Sequence, residues 1–192
     1  HLVETTRQKY PDCKIILYMP TFRTSSWTGE IFNPFSEAYS FNHEVFHKVL
    51  SENNLVFLFK PHFYDLKVLE SKEKSDRFIT VGDEDFDDLY SLLAQIDILM
   101  TDYSSVYFDF IPTKKPVVLA PFDLENYTST ARKLYFDYSE IDGEKGKDWS
   151  DIFSILQNKK YRPASDSAIK KFAAFIDGKS CAKLFEMIRL LK

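Results

Sequence analysis

Hydrophobic positions along this chain fall in short unbroken runs, each stopped by proline, glycine or a polar pair. Lys14–Met19 stops at Pro20, Leu55–Phe59 at Lys60-Pro61, and Phe78–Val81 at Gly82. Ile96–Met100 stops at Thr101-Asp102, and Pro116–Ala120 at Pro121. Continuous rather than alternating runs predict strands buried on both faces, as in a parallel sheet covered by helices on each side. Helical spacing fills the gaps. Glu44–Leu50 follows Asn42, Tyr64–Leu69 follows Pro61, Phe86–Ala94 puts Leu89, Leu92 and Leu93 on one stripe, and Ser105–Ile111 carries Val106, Phe108 and Phe110. This alternation predicts an α/β fold: a Rossmann-like, doubly wound parallel sheet with right-handed crossovers.

The pattern changes towards the C-terminus. Ser139–Asp148 is mostly polar, holds Gly143 and Gly146, and predicts a loop. Ile152, Phe153 and Leu156 after Trp149, then Ile169, Phe172, Ala173 and Ile176, recur at helical spacing. So do Cys181, Leu184, Phe185, Ile188 and Leu191, behind a candidate N-cap, Ser180. These stripes are expected to face the core. The expected organisation is one domain over residues 1–192, with an α/β core at about 14–140 and C-terminal helices at about 148–192.

Composition narrows the function. Of 192 residues, 44% are hydrophobic and 16% aromatic, enough for a substantial core. A formal net charge of −4 argues against nonspecific nucleic-acid binding. With 5 glycines in the chain, a phosphate site must be built without a glycine-rich loop. The 2 cysteines, Cys13 and Cys181, form neither a disulfide framework nor a metal cluster and are expected as reduced core thiols. No signal peptide and no membrane-length apolar run is present, so the expected location is intracellular. The chain lacks an initiator Met, and is expected to start inside a longer protein.

Candidate chemistry clusters where strands end. Thr101-Asp102-Tyr103-Ser104-Ser105 joins a buried strand to a helix start, where backbone N–H groups and serine hydroxyls can bind an anion. Asp102 or Ser104 can equally be a simple N-cap. Thr21 and Arg23 follow the first strand; the Arg23 fork can clamp a phosphate or pair with a surface acid. Lys60-Pro61-His62 follows the second; His62 can bind a phosphate oxygen or donate a proton, or be structural. The aromatic loops Pro121–Tyr127, with Asp123, and Leu134–Tyr138 can cover a base or sugar, or act as a core flap, the reading favoured by pattern alone. In a parallel sheet the ends at Thr21, Lys60, Thr101 and Pro121 share one edge, which favours a common site.

Several of these segments occur in a set order: Tyr18–Arg23, Lys60-Pro61-His62, Thr101–Phe110, Lys115-Pro116, Asp123–Tyr127 and Tyr135–Tyr138. Over residues of about 14–140 the chain thereby resembles the C-terminal domain of the CDP-glycerol glycerophosphotransferases, polymerases and primases of wall teichoic acid and related capsules. The resemblance implies the C-terminal half of a two-domain GT-B type fold that binds the CDP part of a CDP-glycerol or CDP-ribitol-like donor. It implies transfer of polyol phosphate to a polyol-phosphate polymer or lipid-linked acceptor, with release of CMP. Thr21, Arg23, Lys60, His62, Thr101, Asp102, Ser104 and Ser105 would hold the diphosphate, His62 would be catalytic, and Asp123 and Tyr127 would lie near the nucleotide. No tightly bound cofactor and no metal ligands are implied; participation of a divalent ion is left open. The Trp-His-Gly motif that carries the family's proposed catalytic histidine is absent from this chain, so an N-terminal acceptor domain is expected elsewhere and the isolated chain is expected to be inactive. The full-length protein is expected in the cytoplasm, with the membrane's cytoplasmic face as one location. Phe63, Arg132-Lys133-Leu134 and Ile141-Asp142-Gly143 depart from the family pattern. Two rival readings share the fold: a nucleotide-sugar GT-B glycosyltransferase and a nucleotide-binding module without turnover.

Overall fold

The computed structural model describes residues 2–22, 32–62, 75–131, 133–174 and 176–190. The helix expected over Tyr64–Leu69 and the candidate residue Arg23 lie outside these residues. The expected strands are all present: β1 (Lys14–Met19), β2 (Leu55–Phe59), β3 (Phe78–Thr80), β4 (Ile98–Thr101) and β5 (Pro116–Leu119). They pair in parallel in the order β3-β2-β1-β4-β5, with a short β6 (Glu144–Lys145) parallel to β5. A short β7 (Arg162–Pro163) pairs antiparallel with β5. The order reverses between β1 and β4, and that switch point is where open α/β sheets form a ligand crevice.

The runs are apolar throughout because alternate residues serve two cores. Ile15, Leu17, Val56, Leu58, Leu99, Val117 and Leu119 point to one side. Ile16, Tyr18, Phe57, Phe59, Ile98, Met100 and Val118 point to the other. On the first side lie α3 (Leu89–Gln95), α4 (Val106–Phe110) and α6 (Asp166–Phe172), with Leu92, Leu93, Val106, Phe110 and Ala168 buried. On the second lie α2 (His43–Glu52) and α5 (Trp149–Gln157). Trp149 sits at the centre of an aromatic cluster there, stacked on Phe35 at 5.5 Å and edge-on to Phe41 and Phe46. The first helix, α1 (Leu2–Lys9), packs Val3 into the first core.

Local signals explain the boundaries. Asn42 caps α2 by accepting from the Val45 N–H at 3.0 Å. Asp88 caps α3 through the Ser91 N–H at 2.7 Å, so that helix starts at Leu89 rather than at Phe86. The loop expected over Ser139–Asp148 contains β6, whose two residues pair only with β5 and leave no periodic signal.

A second departure concerns the last helix, α7 (Ser180–Leu190), which buries no residue. Leu184, Phe185 and Ile188, expected in the core, are exposed, as is Ile176. Cys13 is buried as expected, but Cys181 is exposed. Leu191 lies outside the described residues. No helix among the described residues is long and apolar enough to cross a membrane.

The β7 edge is tied to the sheet by one carboxylate. Asp142 accepts from Arg162 Nη2 and from the Ser165 N–H, both at 2.7 Å. The Arg162 guanidinium, followed by the Ser165 bond, holds its carboxyl well below the usual carboxylate range. A depressed folded pKa gives stability that is present above the unfolded value of about 3.9 and is lost as pH falls through the folded value. Asp142→Asn is therefore expected to cost about 1–2 kcal/mol at pH 7. The deficit should shrink below about pH 4, and urea denaturation at pH 7 and pH 3 measures it.

Candidate functional site

At the carboxyl ends of β1, β2 and β4 the chain forms a cleft of about 540 Å³. Its polar side comprises Thr21, Lys60, His62, Asp83, Ser104 and Ser105. It is also lined by aromatic residues, Tyr103, Phe108, Tyr127, Tyr135 and Phe136, and by the exposed Lys133. The volume suits a small organic ligand.

The floor is a strut between the two strands at the switch point. Thr101 stands opposite Met19 in the β1–β4 register and donates its hydroxyl to the Met19 carbonyl at 2.7 Å. Asp102 Oδ1 accepts from the Thr21 N–H at 2.8 Å, the Thr21 hydroxyl at 2.6 Å and the Tyr103 N–H at 2.5 Å. Tyr138 closes the strut from behind by donating its hydroxyl to the Asp102 carbonyl at 3.0 Å. Both Thr101 and Asp102 are buried, and neither lines the cleft. These two residues, grouped by sequence with the diphosphate contacts, are placed one layer below it, where they set the spacing of Thr21 and Ser104.

Ser104 and Ser105 lead into α4. Ser104 Oγ accepts from the Val106 N–H at 3.4 Å, a long bond, and Ser105 makes no side-chain cap bond. The capping role that competes for these serines is thus weakly used. The helix itself has 5 residues followed by one 3₁₀ turn, Ile111–Thr113, so its dipole adds little. What the segment offers an anion is hydroxyls and backbone N–H groups.

Lys60 supplies the charge. Its side chain is 13% exposed, its ammonium lies 5.4 Å from the Phe86 ring centre, and it donates to Asp83 Oδ1 at 2.7 Å. Lys60 in turn holds the Asp83 carboxyl below its ordinary range, with a smaller contribution from His62. His62 is exposed, and its ring lies 4.4 Å from that of Phe22.

The aromatic wall divides the two roles weighed from sequence. Leu134 and Phe136 pack on the core, Phe136 against Phe108 and Phe172, and Tyr138 is buried, so this part is a flap. Tyr135 between them is fully exposed at the cleft. Tyr127 stacks on Tyr103 at 4.3 Å, and Asp123 accepts from the Tyr103 hydroxyl at 3.2 Å without reaching the cleft. Sequence reasoning missed Asp83 and Phe22. Asp83 was legible as the first polar residue past the third strand, but Asp83-Glu84-Asp85 reads as a solvated acidic turn. Among the described residues no three His, Cys, Asp or Glu side chains come together as a metal site.

Comparison with known proteins then gives this cleft a setting. The family model described as CDP-glycerol:poly(glycerophosphate) glycerophosphotransferase matches residues 3–190. A teichoic acid glycerol-phosphate transferase of Staphylococcus aureus is 31% identical over 191 residues, covering 95% of this chain and 47% of its own length. The teichoic acid ribitol-phosphate polymerase TarL of the same species is 31% identical over 177 residues, covering 89% of this chain and 30% of its own length. The chain thus spans less than half the length of these relatives. The solved structure of the wall teichoic acid polymerase TagF aligns over 97% of this chain and 46% of that one, with a TM-score of 0.72 at 21% identity. That likeness shows the fold, a doubly wound sheet of the kind that forms half of a GT-B glycosyltransferase.

Proposed function

Because this chain belongs to the CDP-glycerol:poly(glycerophosphate) glycerophosphotransferase family, we propose that its cleft holds the diphosphate of a CDP-polyol. Joined to an acceptor-binding domain, the chain would pass polyol phosphate to a polyol-phosphate polymer, and CMP would leave. The observation that carries this reading is the convergence of Lys60, His62, Ser104, Ser105 and Thr21 on one cleft at the β1–β4 switch point. A variant of the TagF polymerase, similar in fold to this chain, has been soaked with CDPG, which supports the same ligand class.

In this reading an acceptor hydroxyl attacks the β-phosphorus. A new O–P bond forms, the bond from that phosphorus to the bridging oxygen breaks, and the bridging oxygen leaves on CMP with the electron pair. The acceptor's proton goes to a base outside this chain. The residues present here position the diphosphate and stabilise charge, the main work of phosphoryl transfer. Lys60 and His62 would face the leaving phosphate, Ser104 and Ser105 the non-bridging oxygens. Tyr127 and the exposed Tyr135 would flank the nucleoside, since aromatic faces suit a base.

Titration calorimetry with CDP, UDP and inorganic pyrophosphate tests this. CDP is expected to bind, and to bind more tightly than UDP. Absence of CDP binding, or a preference for UDP, overturns the reading. Ser104→Ala with Ser105→Ala is expected to weaken CDP binding by about tenfold or more, from two hydrogen bonds of about 1 kcal/mol each. Their capping bonds are long or missing, so stability should fall by less than the ~1 kcal/mol of an ordinary cap. Lower stability with unchanged CDP affinity would return both serines to a capping role.

A further inference from the structure

The cleft is furnished to receive an anion, and one of its side chains does not fit that task. Lys60, Ser104, Ser105 and His62 can all donate to phosphate oxygens, whereas Asp83 can only repel them. It is nonetheless held at the cleft with care. It follows β3 and opens the turn Asp83–Asp85, which Asp85 fixes by accepting from the Gly82 N–H at 2.8 Å. Its Oδ1 accepts from Lys60 Nζ at 2.7 Å, yet its side chain remains 68% exposed. An ionised carboxylate has about four acceptor positions, and Lys60 uses one. At neutral pH a diphosphate diester brings no donor to the rest; a hydroxyl group does.

Position along the sheet says which hydroxyls. The order β3-β2-β1-β4-β5 puts Asp83 and Lys60 on the β2–β3 side of the switch point. The aromatic wall is tied to the end of β4: Tyr127 stacks on Tyr103, which follows β4, and Phe136 packs against Phe108 of α4. A nucleoside against the aromatic side and a diphosphate at Ser104 and Lys60 leave the far end of the donor, its polyol, at Asp83. We propose that Asp83 is a specificity-determining residue: it accepts hydrogen bonds from the polyol hydroxyls while Lys60, paired to it, holds the adjoining phosphate. This rests on the reading of the cleft as a CDP-polyol site and adds the element that distinguishes a polyol from a plain diester.

The test compares two diesters of equal charge, CDP-glycerol and the CDP ester of propanol, which lacks the hydroxyls. Both are titrated by calorimetry into the 192-residue chain and its Asp83→Asn and Asp83→Ala variants. The wild type is expected to prefer CDP-glycerol by about tenfold, as hydrogen bonds to a charged acceptor allow. Both variants should lose most of that preference, while affinity for the propanol ester holds or rises because a negative charge has gone. Asp83 is exposed, so both variants should melt as the wild type does. A preference retained in both variants, equal losses for the two ligands, or a wild type that binds both esters alike overturns the proposal. Equal losses would mean that Asp83 merely positions Lys60 or meets the ribose. If neither ester nor CDP binds the wild type, the CDP-polyol reading itself falls, an outcome distinct from loss of the preference alone.

Discussion

Lys60→Met is expected to weaken CDP binding by roughly ten- to a hundredfold and to leave the fold intact. A charge-assisted hydrogen bond is worth about 1.5–3 kcal/mol, and each 1.4 kcal/mol is tenfold in affinity. Of the two described lysines lining the cleft, Lys133 is exposed, whereas Lys60 is mostly buried, backed by the Phe86 ring and paired with Asp83. Methionine keeps the apolar stem over Phe86, so packing changes little. The variant also leaves Asp83 beside the ligand with its charge unmasked, which adds repulsion. That second effect can be separated. Lys60→Met combined with Asp83→Asn should regain part of the lost CDP affinity. Loss of less than about threefold in the single variant, measured by calorimetry at 0.1 M salt, would remove Lys60 from the diphosphate site, because screening at that ionic strength is weak over a direct contact.

Trp149→Ala is expected to cost about 3–5 kcal/mol, a large share of the 5–15 kcal/mol that stabilises an ordinary domain. The side chain is 0% exposed and opens α5 on the second face of the sheet. It stacks on Phe35, meets Phe41 and Phe46 edge-on, and donates its indole N–H to the Pro34 carbonyl at 2.6 Å. Truncation would open a cavity beneath several aromatic rings and orphan a buried carbonyl. Trp149→Phe keeps much of the volume and loses the donor, so about 1–3 kcal/mol is expected from the unsatisfied carbonyl and the altered packing. Urea denaturation measures both. A cost under about 1 kcal/mol for the alanine variant would mean that the cluster collapses around the gap. Trp149 does not line the cleft, so variants that still fold should bind CDP as the wild type does.

Much of this molecule was legible from its sequence, for reasons that are local. Unbroken apolar runs such as Ile15–Tyr18 and Leu55–Phe59 specify strands covered on both faces, and the structure finds alternate residues of each run in two separate cores. Asn42 announced its helix because a cap needs only the next few residues. Strand ends at Thr21, Lys60 and Ser104 announced the cleft because parallel strands bring their carboxyl ends to one edge. Sequence could not tell which polar residue at those ends lines the cleft. Thr101 and Asp102 stand in the same motif as Ser104, but pairing of β4 with β1 turns them inward to hold Met19 and Thr21. Asp83 looked like part of an acidic turn until the sheet order set β3 beside β2 and brought it to Lys60. The stripe of Leu184, Phe185 and Ile188 specified a helix with an apolar face, and α7 has that face but leaves it exposed. Periodicity is a property of one element, whereas burial belongs to the pair of elements that meet, and only the tertiary structure decides which surfaces do.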